Sequence, residues 1–253
     1  MAFAQHPALS ASLLAAALIV LYAEWRREAD LARRHVWFGL TLGILIGSGR
    51  LYLSRAGMPD VLPGLAVPAV PAVRGWAWQL LGDVLGYGAW AVLGLTLSAR
   101  AGLAGSVLAE GGGWSAWRAM CRYGLGLGLP LMVIHWAAGR LGLAGSLPAL
   151  EVGRGMVLLV AVQNALHQET IFRLGLLPLV AWLVGHLPRL SHETIWPPLV
   201  GVVLVTILWG MILPGEGALL TALLGLAVGY GFVRAGWEAS VLVHILWWLV
   251  LLV

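Results

Sequence analysis

Residues 155–183 read GMVLLVAVQNALHQETIFRLGLLPLVAWL, an apolar run that carries His167, Gln168, Glu169 and Arg173 within two helical turns. The run is long enough to cross a hydrocarbon core as a helix, which takes about 20 residues. Ionisable groups at that depth are costly, and they mark either a buried pair or a functional site. Fold and function both turn on which of these the four side chains serve.

Similar runs recur along the whole chain. Of its 253 residues 60% are hydrophobic and only 10% charged, with a mean hydropathy of +0.91, whereas a soluble domain carries about 25% charged residues. The expected class is therefore all-α, a polytopic membrane helix bundle of about eight transmembrane helices. The spans fall near 8–23, 36–54, 76–98, 119–137, 155–183, 197–213, 217–233 and 240–253. Breakers occupy the connections: a Pro-rich segment from Pro59 to Pro71, Gly111–Gly113, the polar cluster in Val184–Trp196, and Pro214–Gly217. No linker is long or polar enough to mark a second domain, so 1–253 is expected to form a single integral membrane domain. The first run, Ala8–Ala23, has no basic segment before it and reads as a retained span, not a cleaved signal.

All fifteen basic residues are Arg, and the net charge of +4 is spread over the connections. That distribution speaks for membrane topology and against a nucleic-acid partner. Odd-numbered connections hold eight Arg: Arg26, Arg27, Arg33, Arg34, Arg100, Arg118, Arg189 and Arg234. Even-numbered ones hold four: Arg55, Arg74, Arg140 and Arg154. The positive-inside rule then puts both termini outside the cytoplasm, and the expected location is a bacterial inner (cell) membrane. A single cysteine, Cys121, excludes an intramolecular disulfide and speaks against a cysteine metal site. No metal and no cofactor are expected.

Many of the 34 glycines lie inside spans, as in YGLGLGLP at 123–130 and GLAVGYG at 225–231, where small residues let helices approach closely. Of the 14 tryptophans, Trp76, Trp78, Trp196 and Trp237 lie near span ends, where interfacial anchors sit. Trp209, Trp247 and Trp248 fall within spans and need another explanation.

Glu169 and Arg173 stand at i, i+4, the order and spacing that favour an ion pair on one helix face. Gln168 lies about 100° around the helix from Glu169 and faces a different neighbour. His167, His135 and His244 are expected to be helix–helix hydrogen-bonding residues before any further information is added. Asp83 calls for an Arg partner, with Arg50 and Arg122 as candidates. The zinc pattern H-E-x-x-H is absent from both HQETIF at 167–172 and SHETIW at 191–196, and His192–Glu193 reads as solvated loop surface. No G-x-S-x-G signature is present either.

The order of three segments carries a resemblance. QETIFRLGLLPLV at 168–180 resembles the E-E-x-x-x-R motif of the CPBP family, the CAAX-type intramembrane endopeptidases and bacteriocin-processing enzymes, also called ABI. ILWGMILPG at 207–215 occupies the place of that family's F-x-x-x-H motif. GLAVGYGFVRAGWEASVLVHILWW at 225–248 resembles its closing region, a glycine-rich helix, a turn and a final span with H-x-x-x-N. The likeness covers about 155–253; the first four spans match only in being hydrophobic.

The resemblance implies that a first Glu and a second-motif His activate a water, while the last His and Asn stabilise the oxyanion. Carried over, Glu169 matches the second Glu, Arg173 the Arg and His244 the last His. Gln168 stands where the first Glu would be, Leu213 where the second-motif His would be, and Trp248 where the Asn would be. The Gly after the Arg is displaced by one, to Gly175. Gln is neutral and a poor base, Leu cannot polarise water, and Trp offers only an N–H. Losing a general base costs typically 10²–10⁴-fold and an oxyanion donor about 10²–10³-fold.

The leading expectation is a protease homologue with a decayed site that binds a hydrophobic peptide or a partner's transmembrane helix within the lipid bilayer. The first alternative is an active endopeptidase using Glu169, Arg173 and His244. The second is a structural or cofactor-associated subunit of a larger membrane complex, with His135 or His244 as a tetrapyrrole ligand.

Overall fold

A chain segment in hydrocarbon has no water to satisfy its backbone, so it must close its own hydrogen bonds as a helix. A computed structural model describes residues 7–56, 76–142, 153–187, 194–212 and 218–252, and no strand occurs among them. In order, the helices are α1 (Pro7–Trp25), α2 (Ala29–Arg55), α3 (Trp76–Arg100), α4 (Val107–Glu110) and α5 (Trp114–Arg140). There follow α6 (Arg154–Glu169), a π-helical segment (Thr170–Leu176), α7 (Leu177–Gly185), α8 (Trp196–Ile212), α9 (Ala218–Ala235) and α10 (Trp237–Trp248). A 3₁₀ turn, Leu249–Leu252, ends the described chain.

Helices occupy the described part of every expected span, and the described residues are all-α as expected. Among the described residues, α2, α3 and α9 are long and apolar enough to cross a membrane, and α8 and the second half of α1 are shorter apolar helices. These mark the chain as a membrane protein, and the supported count is three spanning helices, not eight. Two of the other helices fall short for visible reasons. Arg118 and Arg122 dilute the apolar character of α5, and α10 has only 12 residues.

Two details differ from expectation. The first connection shrinks to 26–28, because α1 runs on through Trp25 and α2 begins at Ala29, so Arg33 and Arg34 ride on a helix. The short α4 was not expected at all. Ser106 caps it, its hydroxyl accepting from the Ala109 N–H at 3.1 Å.

Glycines set the helix separations. A β-carbon at Gly43 of α2 would lie 2.6 Å from the Val84 carbonyl oxygen of α3, and one at Gly94 of α3 would overlap the Leu174 carbonyl oxygen. Gly128 of α5 packs on Val243 and Leu246 of α10, and Gly229 of α9 packs on Val202 of α8. Gly126, in the same glycine run as Gly128, meets nothing.

Trp76, Trp78 and Trp196 are 58%, 69% and 54% exposed, as interfacial anchors are. Trp237 is not one of them: it is buried edge-on against Phe38, with centroids 5.6 Å apart. Its position opening α10 turns it into the bundle. Asp83 meets Arg50 at 2.6 Å, binding α3 to α2.

Candidate functional site

The site begins with a helix that cannot stay α. Pro178 has no N–H to give to the Leu174 carbonyl four residues back, so the turn before it opens into the π segment. The Leu174 carbonyl turns to α3, where Gly94 leaves room for it. Thr170 adds to the distortion by donating its hydroxyl back to the Leu166 carbonyl at 2.6 Å. Through this widened stretch α6 presents Gln168, Glu169 and Arg173, all fully buried.

Glu169 has two ionisable partners and the Ser240 side chain beside it. Its Oε1 lies 2.7 Å from His244 Nδ1 on α10, and its Oε2 lies 3.6 Å from Arg173 Nε. The first is hydrogen-bond length; the second is an ion pair too long for a hydrogen bond. A carboxylate only accepts, so Nδ1 of His244 carries the proton and donates it. Arg173 also donates from Nη2 to the Gly225 carbonyl of α9 at 3.3 Å and stacks 4.5 Å above the Trp209 ring of α8. Trp209 in turn donates from Nε1 to Gln168 Oε1 at 2.9 Å and meets His244 edge-on, with centroids 5.7 Å apart.

Four elements thus converge on one seam: the α6–π segment, α8, α9 and α10. The expected i, i+4 ion pair is present, and Gln168 and Glu169 do face different neighbours. Glu169, Arg173 and His244 come together. Trp248 lies buried one turn beyond His244, and its Nε1 has no hydrogen-bond partner among the described residues. Asn164 Nδ2 and Arg173 Nη1 are likewise buried without an acceptor there. Leu213, His192 and Glu193 lie outside the described residues.

His135 and His167 pack against aromatic rings. His135 stacks on Trp247 at 4.0 Å, and its Nδ1 lies 3.2 Å from the Trp247 carbonyl oxygen. His167 packs edge-on against Tyr87 at 5.2 Å. No group of three or more His, Cys, Asp or Glu arranged to hold a metal occurs among the described residues.

Sequence reasoning missed Trp209 as a member of the site; its one signal was an indole in the middle of a span. It also missed a second buried cluster. Glu24 Oε2 accepts from Thr96 Oγ1 at 2.8 Å and lies 2.9 Å from His35 Nδ1. Glu24 and His35 stand at the two sides of the first connection, and nothing in the sequence singled them out.

No family model, curated protein or solved structure matches this chain.

Proposed function

We propose that the chain is a CPBP-type intramembrane protein whose protease site has decayed, and that the seam between α6 and α10 serves to bind a hydrophobic peptide or a partner's transmembrane helix. The observation that carries this is the engagement of both side chains at the acid positions. Gln168 Oε1 accepts the Trp209 N–H, and the two oxygens of Glu169 face His244 and Arg173. Glu169 Oε2 is buried, accepts no hydrogen bond among the described residues and lies 3.6 Å from Arg173 Nε. A general base must reach the proton it removes. The indole of Trp248 and the apolar Leu213, at positions that a hydrolase of this kind would fill with polar groups, favour a helix or acyl surface over water.

The same proposal includes the eight-span arrangement, on the recurring apolar runs, a bacterial inner membrane, and termini outside the cytoplasm, on the Arg distribution.

One observation favours the alternative of a working endopeptidase. A carboxylate 2.7 Å from an imidazole is a base–donor pair in contact. Such a site would have to free Glu169 from Arg173 before it could take a proton from water.

Intact-mass spectrometry of whatever co-purifies with the full chain in mild detergent separates the two. A stoichiometric, full-length membrane partner is expected. A partner that ends at one defined internal cut, absent with Glu169→Gln, would refute the decayed-site proposal.

A further inference from the structure

Far along the sequence from the seam, the corner between α1 and α2 holds an open apolar groove. Leu21, Tyr22 and Trp25 form one wall; Ala29, Ala32 and Val36 form the other, with Arg33 at its edge. The two alanines supply the room, because larger side chains at those positions would close the gap between the helices.

Guanidinium groups gather at this corner. Arg26 donates from Nη1 to the Tyr22 hydroxyl at 3.4 Å, which holds it beside a wall of the groove. Arg33 lies 3.7 Å from Asp30, and the two side chains stay 70% and 80% exposed, so the pairing is loose. Arg27 is also exposed there, while Arg34 turns to the Glu110 carbonyl of α4 at 3.4 Å; residues 22–36 hold four Arg against Glu24, Glu28 and Asp30. Tyr22 and Trp25 are 58% and 56% exposed, as aromatic rings are where headgroups meet hydrocarbon.

An apolar slot with Arg33 at its edge and Arg26 held on the Tyr22 hydroxyl of its wall matches one kind of molecule. Arg offers a planar fork that binds phosphate oxygens in pairs, and the groove walls offer an acyl chain a largely apolar surface. The groove lies along the first turns of α2, a helix long and apolar enough to cross a membrane. We infer that the α1–α2 corner is a binding site for an anionic phospholipid. Its phosphate lies between Arg26 and Arg33, and one acyl chain lies along Leu21, Tyr22 and Val36. A zwitterionic lipid carries its own cation beside the phosphate and gains far less from the same corner.

Native mass spectrometry of the full chain with phosphatidylglycerol and phosphatidylcholine of equal chain length tests the site. Each guanidinium near a lipid anion contributes roughly fivefold, so phosphatidylglycerol is expected to be retained about thirtyfold more strongly at low salt. Arg26→Gln with Arg33→Gln should abolish that preference. Ala29→Trp fills the groove and leaves every charge in place, and it should lower phosphatidylglycerol retention on its own. Equal retention of the two lipids in the wild type would overturn the inference, as would a preference that survives loss of both arginines. Retention unchanged by Ala29→Trp would also overturn it, because the charges would then act without the groove.

Discussion

His244 on α10 and Glu169 on α6 meet at 2.7 Å across 75 positions of sequence. Glu169 turns its second oxygen to Arg173, whose guanidinium reaches on to the Gly225 carbonyl of α9 and the Trp209 face of α8. One buried carboxylate therefore links α10 to a cation that touches α8 and α9. In lipid, where apolar side chains give helices no reason to associate, such polar contacts hold a bundle in register. Removing any member leaves its partners buried and unsatisfied.

Trp209 is the member most open to a conservative test. Trp209→Phe retains an aromatic face for Arg173 but removes the N–H that Gln168 Oε1 accepts. A buried acceptor left without its donor costs about 1–3 kcal/mol. Unfolding in detergent should show a loss of that size, and Gln168→Leu in the Trp209→Phe background should recover part of it. A silent Trp209→Phe would mean the indole does not hold Gln168.

The fit of α3 to the π segment depends on a missing side chain. At Gly94 a β-carbon would overlap the Leu174 carbonyl oxygen, a backbone atom that cannot swing aside. Gly94→Ala should lower stability by about 3 kcal/mol or more, because the helices must separate to admit it. Gly126→Ala, at a position that meets nothing, should gain up to about 1 kcal/mol from helix propensity alone. Melting temperatures of the two variants check the contrast.

The start of α10 is fastened to α4 by one acid. Glu238 accepts from the Ser106 hydroxyl and, at 3.0 Å each, from the backbone N–H groups of Val107 and Leu108. Negative charge there also meets the positive end of α4. Glu238→Ala should cost about 1–2 kcal/mol, and Glu238→Gln less, measured by unfolding of the full chain. Equal losses for both would mean that shape, not charge, makes the cap.

Much of this was legible in the sequence, and the part that was not has a common cause. The i, i+4 spacing exposed the Glu169–Arg173 pair because both residues share one helix. The need of a buried acid for a partner found Arg50 for Asp83. Contacts between distant helices left no local trace. His244 became a candidate for Glu169 only through the order of motifs, and nothing near Trp209 pointed to Gln168. Trp237 misled because a tryptophan at a helix end faces outward or inward according to rotation, which Phe38 decided here. Glu24 and His35, on either side of four arginines, gave no local sign of meeting, yet both are buried around Thr96. The π segment followed from Pro178, but only Gly94 on another helix gave the displaced carbonyl somewhere to go.

The central claim is that Glu169 holds helices together and does not activate water. Glu169→Gln, followed for both unfolding and peptide cleavage in the same reconstituted sample, tests it directly. Losing the charge leaves Arg173 buried without its counter-ion, at a cost of about 3–5 kcal/mol. The expected result is a large drop in stability, with no cleavage by either protein. Wild-type cleavage that vanishes in the variant while the melting temperature stays unchanged would contradict the claim and make Glu169 a catalytic base.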